Sequence, residues 1–368
     1  MAVTSNFATD LLALVDDIVS GDKVEFSEAI FSKAFEHEGI ADSHTVLTDV
    51  RHGGTVPIMN QTPNPDSFPF VDDTSCATTE CDVNLEFSGK KWDLGLIECR
   101  VPICLRTFNE NFLRFFNTYK HACQGEPDMD SALLTYIQEV FTKNLVLSTW
   151  RAAYFGDTAS TSAYYNGFDG FFTQAEAGDG IKIDITENAQ ATYALQLSEL
   201  TGEDVYNYLS QMYEAAATTP WFDPSVLEFR VTRTMGAKLV SFLNRQGENG
   251  VGCECFDPNA IVQSKTFNLT NTIFRGIPVR VEGAWDDIIN YSTELNGGGG
   301  AAARVDPHRA ILTYRENLLI GTNQLDCLES FDMWYSKDTK NVYVEGSSYL
   351  GAVVPLDEYV LATGLTTT

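Results

Sequence analysis

Cysteine, histidine and carboxylate side chains stand close together at a few places in the sequence, and such groups can bind metals. Cys253-Glu254-Cys255 offers two thiolates, but zinc sites use two such pairs or a histidine pair, and no second pair lies at the usual spacing. Glu36-His37-Glu38 cannot converge on one ion within a helix, because adjacent helical residues point about 100° apart. Asp306-Pro307-His308 precedes a strand pattern and is typical of a turn with a solvated histidine. The sequence therefore predicts no metal site.

Motifs for phosphate binding and nucleophilic catalysis are also missing. The glycine-rich run over 247–252 lacks the Lys-Ser/Thr that completes a phosphate-binding loop, and no Gly-x-Ser-x-Gly elbow occurs. The paired carboxylates Asp16-Asp17 and Asp286-Asp287 are sequence neighbours that favour solvated helix faces. We therefore expect a protein that is not an enzyme, without catalytic residues or cofactors. A soluble hydrolase whose site assembles from distant residues stays open as an alternative.

The charge of the chain restricts its partners. Among 368 residues there are 24 Lys and Arg against 51 Asp and Glu, which gives a net charge of −27. Such a chain lacks the cations that a dedicated nucleic-acid binder or a protein docked on anionic lipid needs. No secretion signal is visible, so the eight cysteines are expected to be free thiols in a soluble protein made in the cytosol.

The first hundred residues read as an arm followed by a long extended segment. Residues 1–45 contain two amphipathic stripes, Leu11–Val19 and Phe26–Phe35. Prolines then exclude helix, and alternation at 83–87 and 92–96 on either side of Gly89-Lys90-Lys91 predicts a hairpin that turns at these three residues. Long segments without helix are usually functional.

Two helices follow. The pattern predicts the first over Asp128 to Tyr154, ended by Gly156, with a length of about 37–40 Å. A capping box at Thr201-Gly202-Glu203-Asp204 predicts the start of the second. The apolar stripe of the first helix consists of Leu133, Leu134, Ile137, Val140, Phe141, Leu145 and Trp150.

Strand patterns dominate the rest of the chain. They lie at Val226–Thr232, Ile277–Glu282 and Ala310–Tyr314, with a helical pattern at Met235–Leu243. Phe331–Tyr335 and Asn341–Glu345 predict a hairpin, Tyr349–Pro355 a further strand, and Asn296–Ala303 a flexible loop. Helices and strands alternate without a regular rhythm, so the class is α+β.

This order of elements resembles the major capsid proteins of tailed double-stranded DNA bacteriophages, which have the Hong Kong 97 capsid fold. Local phrases resemble that family too: Trp150–Thr158 and Tyr165–Phe172 look like the exit from the long spine helix. Pro307–Thr313, Asn317–Thr322 and the ending from Phe331 to Pro355 look like the closing strands.

The resemblance implies a domain organisation. It places an N-terminal arm at 1–45, an extended loop at 46–98, a peripheral domain with the spine helix at 99–179 and 323–368, and an axial domain at 180–322. It also implies pentamers and hexamers of an icosahedral phage head that encloses DNA without binding it specifically. The chain shows no long charged scaffold segment at its start, so the implied partners are further copies, a portal, a separate scaffold and decoration proteins. The implied location is the virion, after assembly in the host cytoplasm.

Large apolar side chains in the thin extended segment predict subunit contacts, because the segment is too narrow to bury them alone. The alternative is that they fold back on their own domain. The predicted interface residues are Phe68, Phe70, Phe87, Trp92 and Leu96, with Leu12 and Phe31 on the arm, and the predicted spine residues are Leu133, Ile137, Val140, Phe141 and Trp150. An encapsulin-type compartment shell remains the alternative within the fold, and a carbohydrate-binding module is a further one outside it.

Overall fold

A computed structural model of the chain describes residues 40, 43–61, 85–104, 143–248, 272–323, 330–336, 338–339 and 341–365. The arm stripes, the first half of the predicted long helix and the Cys253-Glu254-Cys255 pair lie outside these residues. The chain divides into two compact units. The first unit comprises residues 1–51, 93–173 and 319–352, and the second comprises 52–92, 174–318 and 353–368.

The described residues contain thirteen strands and six α-helices. The strands are β1 Thr45–Leu47, β2 Thr55–Gln61, β3 Leu85–Lys91, β4 Gly95–Cys104, β5 Ile181–Ile183, β6 Leu227–Thr232, β7 Thr272–Phe274, β8 Ile277–Glu282, β9 Ala310–Tyr314, β10 Leu319–Thr322, β11 Ser330–Ser336, β12 Asn341–Val353 and β13 Leu361–Thr363. The helices are α1 over 143–155, α2 Phe171–Ala177, α3 Tyr193–Glu199, α4 Gly202–Ala217, α5 Arg233–Glu248 and α6 Gly283–Tyr291.

The first unit is built on a five-stranded sheet in the order β1-β10-β12-β11, with β4 also paired to β12. β12 is antiparallel to β4 from Asn341↔Cys104 to Leu350↔Gly95, and antiparallel to β11. The hairpin predicted at 331–345 is confirmed. The separate strand predicted at Tyr349–Pro355 is wrong, because β12 is one strand from Asn341 to Val353 and pairs with β4 as far as Leu350.

The second unit is built on a six-stranded sheet in the order β5-β13-β9-β6-β8-β7. The strands predicted at 226–232, 277–282 and 310–314 are confirmed as β6, β8 and β9. Helices α4 and α5 bury apolar stripes in one core with this sheet. Its members include Val205, Leu209 and Met212 of α4, Met235, Leu239 and Leu243 of α5, and Phe229, Val231 and Leu312 of the strands.

The capping box at the start of α4 is confirmed atom by atom. The hydroxyl of Thr201 accepts from the backbone N–H of Asp204, and the Asp204 carboxylate accepts from the backbone N–H of Thr201 at 2.8 Å. Each side chain thus satisfies a donor that the first helical turn leaves unpaired. A local motif of four residues therefore sets where the helix begins.

The predicted turn at Gly89-Lys90-Lys91 is wrong. These residues lie inside β3, which pairs with β2 in a separate two-stranded sheet, with Pro57 opposite Gly89. A Cβ atom at Gly89 would lie 2.4 Å from the Cγ2 of Thr55, so the glycine permits a close approach between strands rather than a turn. We call this two-stranded sheet the ribbon.

Candidate assembly surfaces

The base of the ribbon is closed around Trp92. The N–H of Gly53 donates to the carbonyl of Trp92, and the N–H of Trp92 donates to the carbonyl of Gly54, both at 2.8 Å. The Trp92 side chain is only 5% exposed. Trp92, a predicted interface residue, is therefore packed within its own chain. This agrees, for that position, with the alternative that the apolar side chains fold back on their own domain.

An ion pair connects the ribbon to the rest of the second unit. The ammonium group of Lys90 on β3 donates to the carboxylate of Asp357, in the short 3₁₀ turn Asp357–Tyr359. Both side chains are about one third exposed, so the pair contributes at most about 1 kcal/mol. Its effect is to hold the ribbon at one position on its own chain, while the neighbouring Lys91 is exposed.

The other predicted interface residues are distributed unevenly. Leu96 on β4 is 51% exposed and stands opposite Tyr349 of β12. Phe87 lies on β3, and its side chain is outside the described part of the structure. Phe68, Phe70, Leu12 and Phe31 lie outside the described residues altogether.

Leu96 shares a sheet face with an aromatic and arginine cluster. The guanidinium carbon of Arg100 lies 4.9 Å from the ring centroid of Trp334 and 4.7 Å from that of Tyr343. The two rings stack with centroids 5.4 Å apart. Cation–π contact and stacking favour a fixed arrangement of these large side chains. The first unit therefore presents a structured face on which Leu96 is exposed.

Helix α1 is held by an aromatic cluster in the first unit. Trp150 is buried and stacks on Tyr154, with ring centroids 5.4 Å apart, and Tyr154 packs edge-on against Phe171. The helix ends before Gly156, as predicted. The other predicted spine residues, Leu133, Ile137, Val140 and Phe141, lie outside the described residues.

Sequence reasoning did not identify His44, which lies in this aromatic cluster. Its ring stacks on Phe171 with centroids 5.6 Å apart, and its Nε2 lies 2.6 Å from the hydroxyl of Tyr154. Its Nδ1 lies 2.9 Å from the carbonyl oxygen of Ile40. A lone histidine carries no spacing signal, so only the folded chain reveals that it anchors the segment before β1 to α1.

The glycine-rich loop predicted to be flexible is folded around Arg304 in the second unit. The guanidinium donates to the carbonyl oxygens of Asn296, Gly300 and Ala302. It also lies 4.8 Å from the ring centroid of Tyr193 on α3. The expectation of flexibility rested on composition alone and missed these contacts. One arginine thus joins the loop to α3.

Buried charges in the second unit form ion pairs within its sheet. Arg230 on β6 is fully buried between the carboxylates of Glu228 and Glu282. Burial raises the pKa of Glu282, and the charges of Arg230 and Arg280 oppose that rise. Such a buried group is costly unless paired, and here the pairing is complete on both sides of the arginine.

The described residues contain neither a cluster of metal ligands nor a helix suited to a membrane. No group of three or more His, Cys, Asp or Glu side chains is close enough to hold a metal ion there. None of the helices in that part of the chain combines the length and the apolar character that crossing a membrane requires.

Comparison with known proteins was informative only for structure. No protein-family profile and no curated protein matches the sequence. A chain of Gordonia phage Cozz superimposes with a TM-score of 0.51 at 13% identity, over 89% of this chain and 86% of that chain. A chain of the satellite phage P4 procapsid including size determination protein gives 0.50 at 11% identity, over 99% and 97%. A virus-like particle from Pyrococcus furiosus gives 0.43 at 11% identity, over 92% and 97%.

The two superpositions with the higher TM-scores define the fold class of this protein. The chain has the Hong Kong 97-type capsid fold, with the mixed α+β architecture expected from its sequence. The superpositions extend over nearly the whole of each chain. The likeness therefore does not rest on one common motif.

Proposed function

We propose that this chain is the major capsid protein of a tailed double-stranded DNA bacteriophage. Copies assemble as pentamers and hexamers into an icosahedral head that encloses the genome. The role is structural and not enzymatic, and the location is the virion, after assembly in the host cytoplasm. The observation that carries the proposal is the Hong Kong 97-type fold over nearly the full chain.

Features of the chain support particular roles within such a shell. The ribbon and the residues between its strands serve as the extended loop over a neighbouring subunit, with Phe68, Phe70 and Phe87 as contacts. Leu96 and the arm residues Leu12 and Phe31 provide further contacts. In the described sheets, β2 and β3 pair only with each other, and a lone two-stranded sheet is marginally stable in water. Docking on a neighbour would supply the missing support.

The charge of the chain fits a container for DNA. At −27 per copy the inner wall repels phosphates, so packaged DNA is enclosed without being bound specifically. A shell that encloses DNA without binding it needs no basic patch on the capsid protein. Portal, separate scaffold and decoration proteins complete the proposed set of partners, together with many copies of the chain itself.

Negative-stain electron microscopy of the purified protein tests the proposal. We expect closed icosahedral particles, and particles from the native source that contain double-stranded DNA. Particles that instead hold a co-purified enzyme would replace the phage head by an encapsulin-type compartment. A discrete monomer that forms no particles under any salt condition would overturn the assembly proposal itself.

A further inference from the structure

Three asparagines in the sequence are followed directly by glycine, and two of these pairs lie in the described part of the chain. They are Asn166-Gly167, in the turn after α1, and Asn296-Gly297, in the glycine-rich loop Asn296–Ala303, which we call the glycine loop. Asn249-Gly250 lies outside the described residues. An asparagine before glycine is prone to deamidation, because glycine has no Cβ to hinder the approach of its backbone nitrogen to the asparagine side chain.

The reacting groups of Asn166-Gly167 are accessible. Both residues are exposed. In the part of the chain that the structure describes, neither the side chain of Asn166 nor the N–H of Gly167 forms a hydrogen bond. The backbone N–H of Asn166 donates to the carbonyl oxygen of Ser162 at 3.1 Å, which holds the turn but involves neither reacting group. The side-chain amide and the following nitrogen are therefore free to react.

The equivalent groups of Asn296 are held by the glycine loop. The side-chain oxygen of Asn296 accepts from the N–H of Gly298 at 3.0 Å, and its backbone carbonyl oxygen accepts from the N–H of Gly299 at 3.0 Å. The guanidinium of Arg304 donates to the same carbonyl oxygen. These bonds must break before the side chain and backbone of Asn296 can rotate toward Gly297. Asn296 therefore reacts only after local opening, and the free energy of opening slows the reaction.

We propose that Asn166 is a site of spontaneous deamidation in the folded chain, whereas Asn296 is protected. The backbone nitrogen of Gly167 attacks the side-chain amide carbon of Asn166 and loses its proton. The new C–N bond closes a cyclic succinimide, and the bond to the side-chain nitrogen breaks, so that ammonia leaves. Water then opens the ring at either carbonyl, which gives aspartate or isoaspartate at position 166. The proposal is independent of the proposed function, because the reaction needs only the chain and water.

The products change the turn in two ways. Both products add a negative charge to a chain that is already acidic. Isoaspartate also lengthens the backbone by a methylene group, beside a place where the turn packs closely on the start of β4. A Cβ atom at Gly95 would lie only 3.0 Å from the carbonyl carbon and oxygen of Gly167. We therefore expect isoaspartate to loosen the contact between the turn and β4.

Peptide mapping by mass spectrometry of the full-length chain tests the proposal. Conversion of Asn166 and Asn296 is followed in mildly alkaline buffer, with the chain folded and with the chain unfolded in guanidinium chloride. We expect folding to slow the reaction at Asn296 at least about tenfold, and the reaction at Asn166 by less than about threefold. Folding that slows Asn166 as much as Asn296 would overturn the proposal.

A substitution at the attacking residue gives the matched control. A Cβ atom at Gly167 would meet only the Cα of Gly95, at 3.8 Å, so Gly167→Ala fits the fold while its methyl group hinders the attacking nitrogen. After circular dichroism confirms folding, we expect this variant to slow the conversion of Asn166 about tenfold and to leave Asn296 unchanged. An unchanged rate at Asn166 would overturn the assignment of the Gly167 nitrogen as the nucleophile.

The isoaspartate product gives an independent readout. An isoaspartyl methyltransferase methylates isoaspartate and leaves aspartate unmodified, so aged wild-type protein should accept methyl groups at position 166. Hydrogen exchange then compares the aged protein with Asn166→Asp, which adds the charge without lengthening the backbone. We expect faster exchange at the start of β4 only in the aged protein. Equal exchange in the two samples would overturn the packing effect, whereas a failure to methylate position 166 would overturn the reaction.

Discussion

The glycines at 297–300 all have positive φ angles, of 63°, 95°, 83° and 61°. Residues with a side chain avoid this region because their Cβ crowds the backbone. At Gly297 a second restriction applies, since a Cβ there would lie 2.0 Å from the carbonyl oxygen of Ala303. At Gly298 no atom lies within 4 Å of the same position. The loop therefore needs glycine for backbone conformation throughout, and for space at Gly297.

Alanine substitutions separate these two causes. Gly298→Ala is expected to lower the free energy of unfolding of the second unit by about 1–2 kcal/mol, the cost of a left-handed alanine. Gly297→Ala is expected to cost more, because the clash with Ala303 adds to it. Urea unfolding monitored by tryptophan fluorescence measures both. Equal losses for the two variants would contradict the steric assignment.

The expectation of a solvated histidine at His308 is wrong, because the folded second unit buries its side chain fully. Its Nε2–H donates to the carbonyl oxygen of Gln196 at 2.9 Å. Burial lowers the pKa of the imidazole, and the charge of Lys238 lowers it further, while the Gln196 carbonyl and Glu187 act in the opposite direction. The folded state therefore favours the neutral ring.

This preference makes the second unit sensitive to acid. The stabilisation by neutral His308 is complete above the unfolded-state pKa of 6.5 and is lost as the pH falls through the lower folded-state pKa. We expect the free energy of unfolding to drop below pH 6.5 by at most about 1.4 kcal/mol per pH unit from this group. His308→Gln should flatten that slope, whereas His52→Gln, at an exposed histidine, should keep it.

At the scale of elements, helix α5 begins at a carboxylate supplied by another helix. The buried side chain of Asp286 on α6 accepts from the backbone N–H of Arg233 at 2.5 Å and from the hydroxyl of Thr234 at 2.9 Å. Burial raises the pKa of Asp286, and these hydrogen bonds oppose the rise. The cap therefore joins α5 and α6 and cannot be recognised from the residues that precede α5.

Removing this cap is expected to destabilise the second unit. Asp286→Ala leaves the backbone N–H groups of Arg233 and Thr234 without this acceptor and should lower the free energy of unfolding by about 1–2 kcal/mol. Asp287→Ala is the matched control, since its half-exposed carboxylate lies 3.7 Å from Arg233 and should contribute less than about 1 kcal/mol. Chemical denaturation of both variants measures the difference, and similar losses would rule out the capping role.

The ribbon is a second element, and an ion pair links it to the rest of the second unit. Lys90→Gln removes the ion pair with Asp357, whereas Lys91→Gln changes an exposed neighbour. We expect faster amide hydrogen exchange in β3 only for the first variant, by about fivefold at low salt, because exposed pairs are worth up to about 1 kcal/mol. The difference should shrink at high salt. Equal exchange in both variants at low salt would show that the pair does not hold the ribbon.

At the scale of the whole molecule, self-repulsion opposes assembly. Copies that each carry −27 repel strongly at low ionic strength, where screening is weak. We expect the yield of assembled particles to rise between about 10 mM and about 150 mM salt, and to rise further with divalent cations. Light scattering during assembly measures the yield. The same yield at both salt concentrations would refute the electrostatic argument.

Much of the fold was predictable where its cause is local. The capping box at Thr201, the end of α1 before Gly156 and the strands β6, β8 and β9 follow from short patterns. The wrong predictions concern segments whose structure depends on how strands pair. Gly89 resembles a turn residue until Pro57 is placed opposite it, and β12 resembles two strands until its register with β4 is known.

The amino-acid sequence by itself determined the α+β class, the acidity and the boundaries of several elements, because periodicity, capping and composition act over a few neighbouring residues. Only the tertiary structure decided that Arg304 holds the glycine loop, that His44 anchors α1, and that Asp286 caps α5. Each of these contacts joins distant segments, and no local pattern encodes a partner that far away.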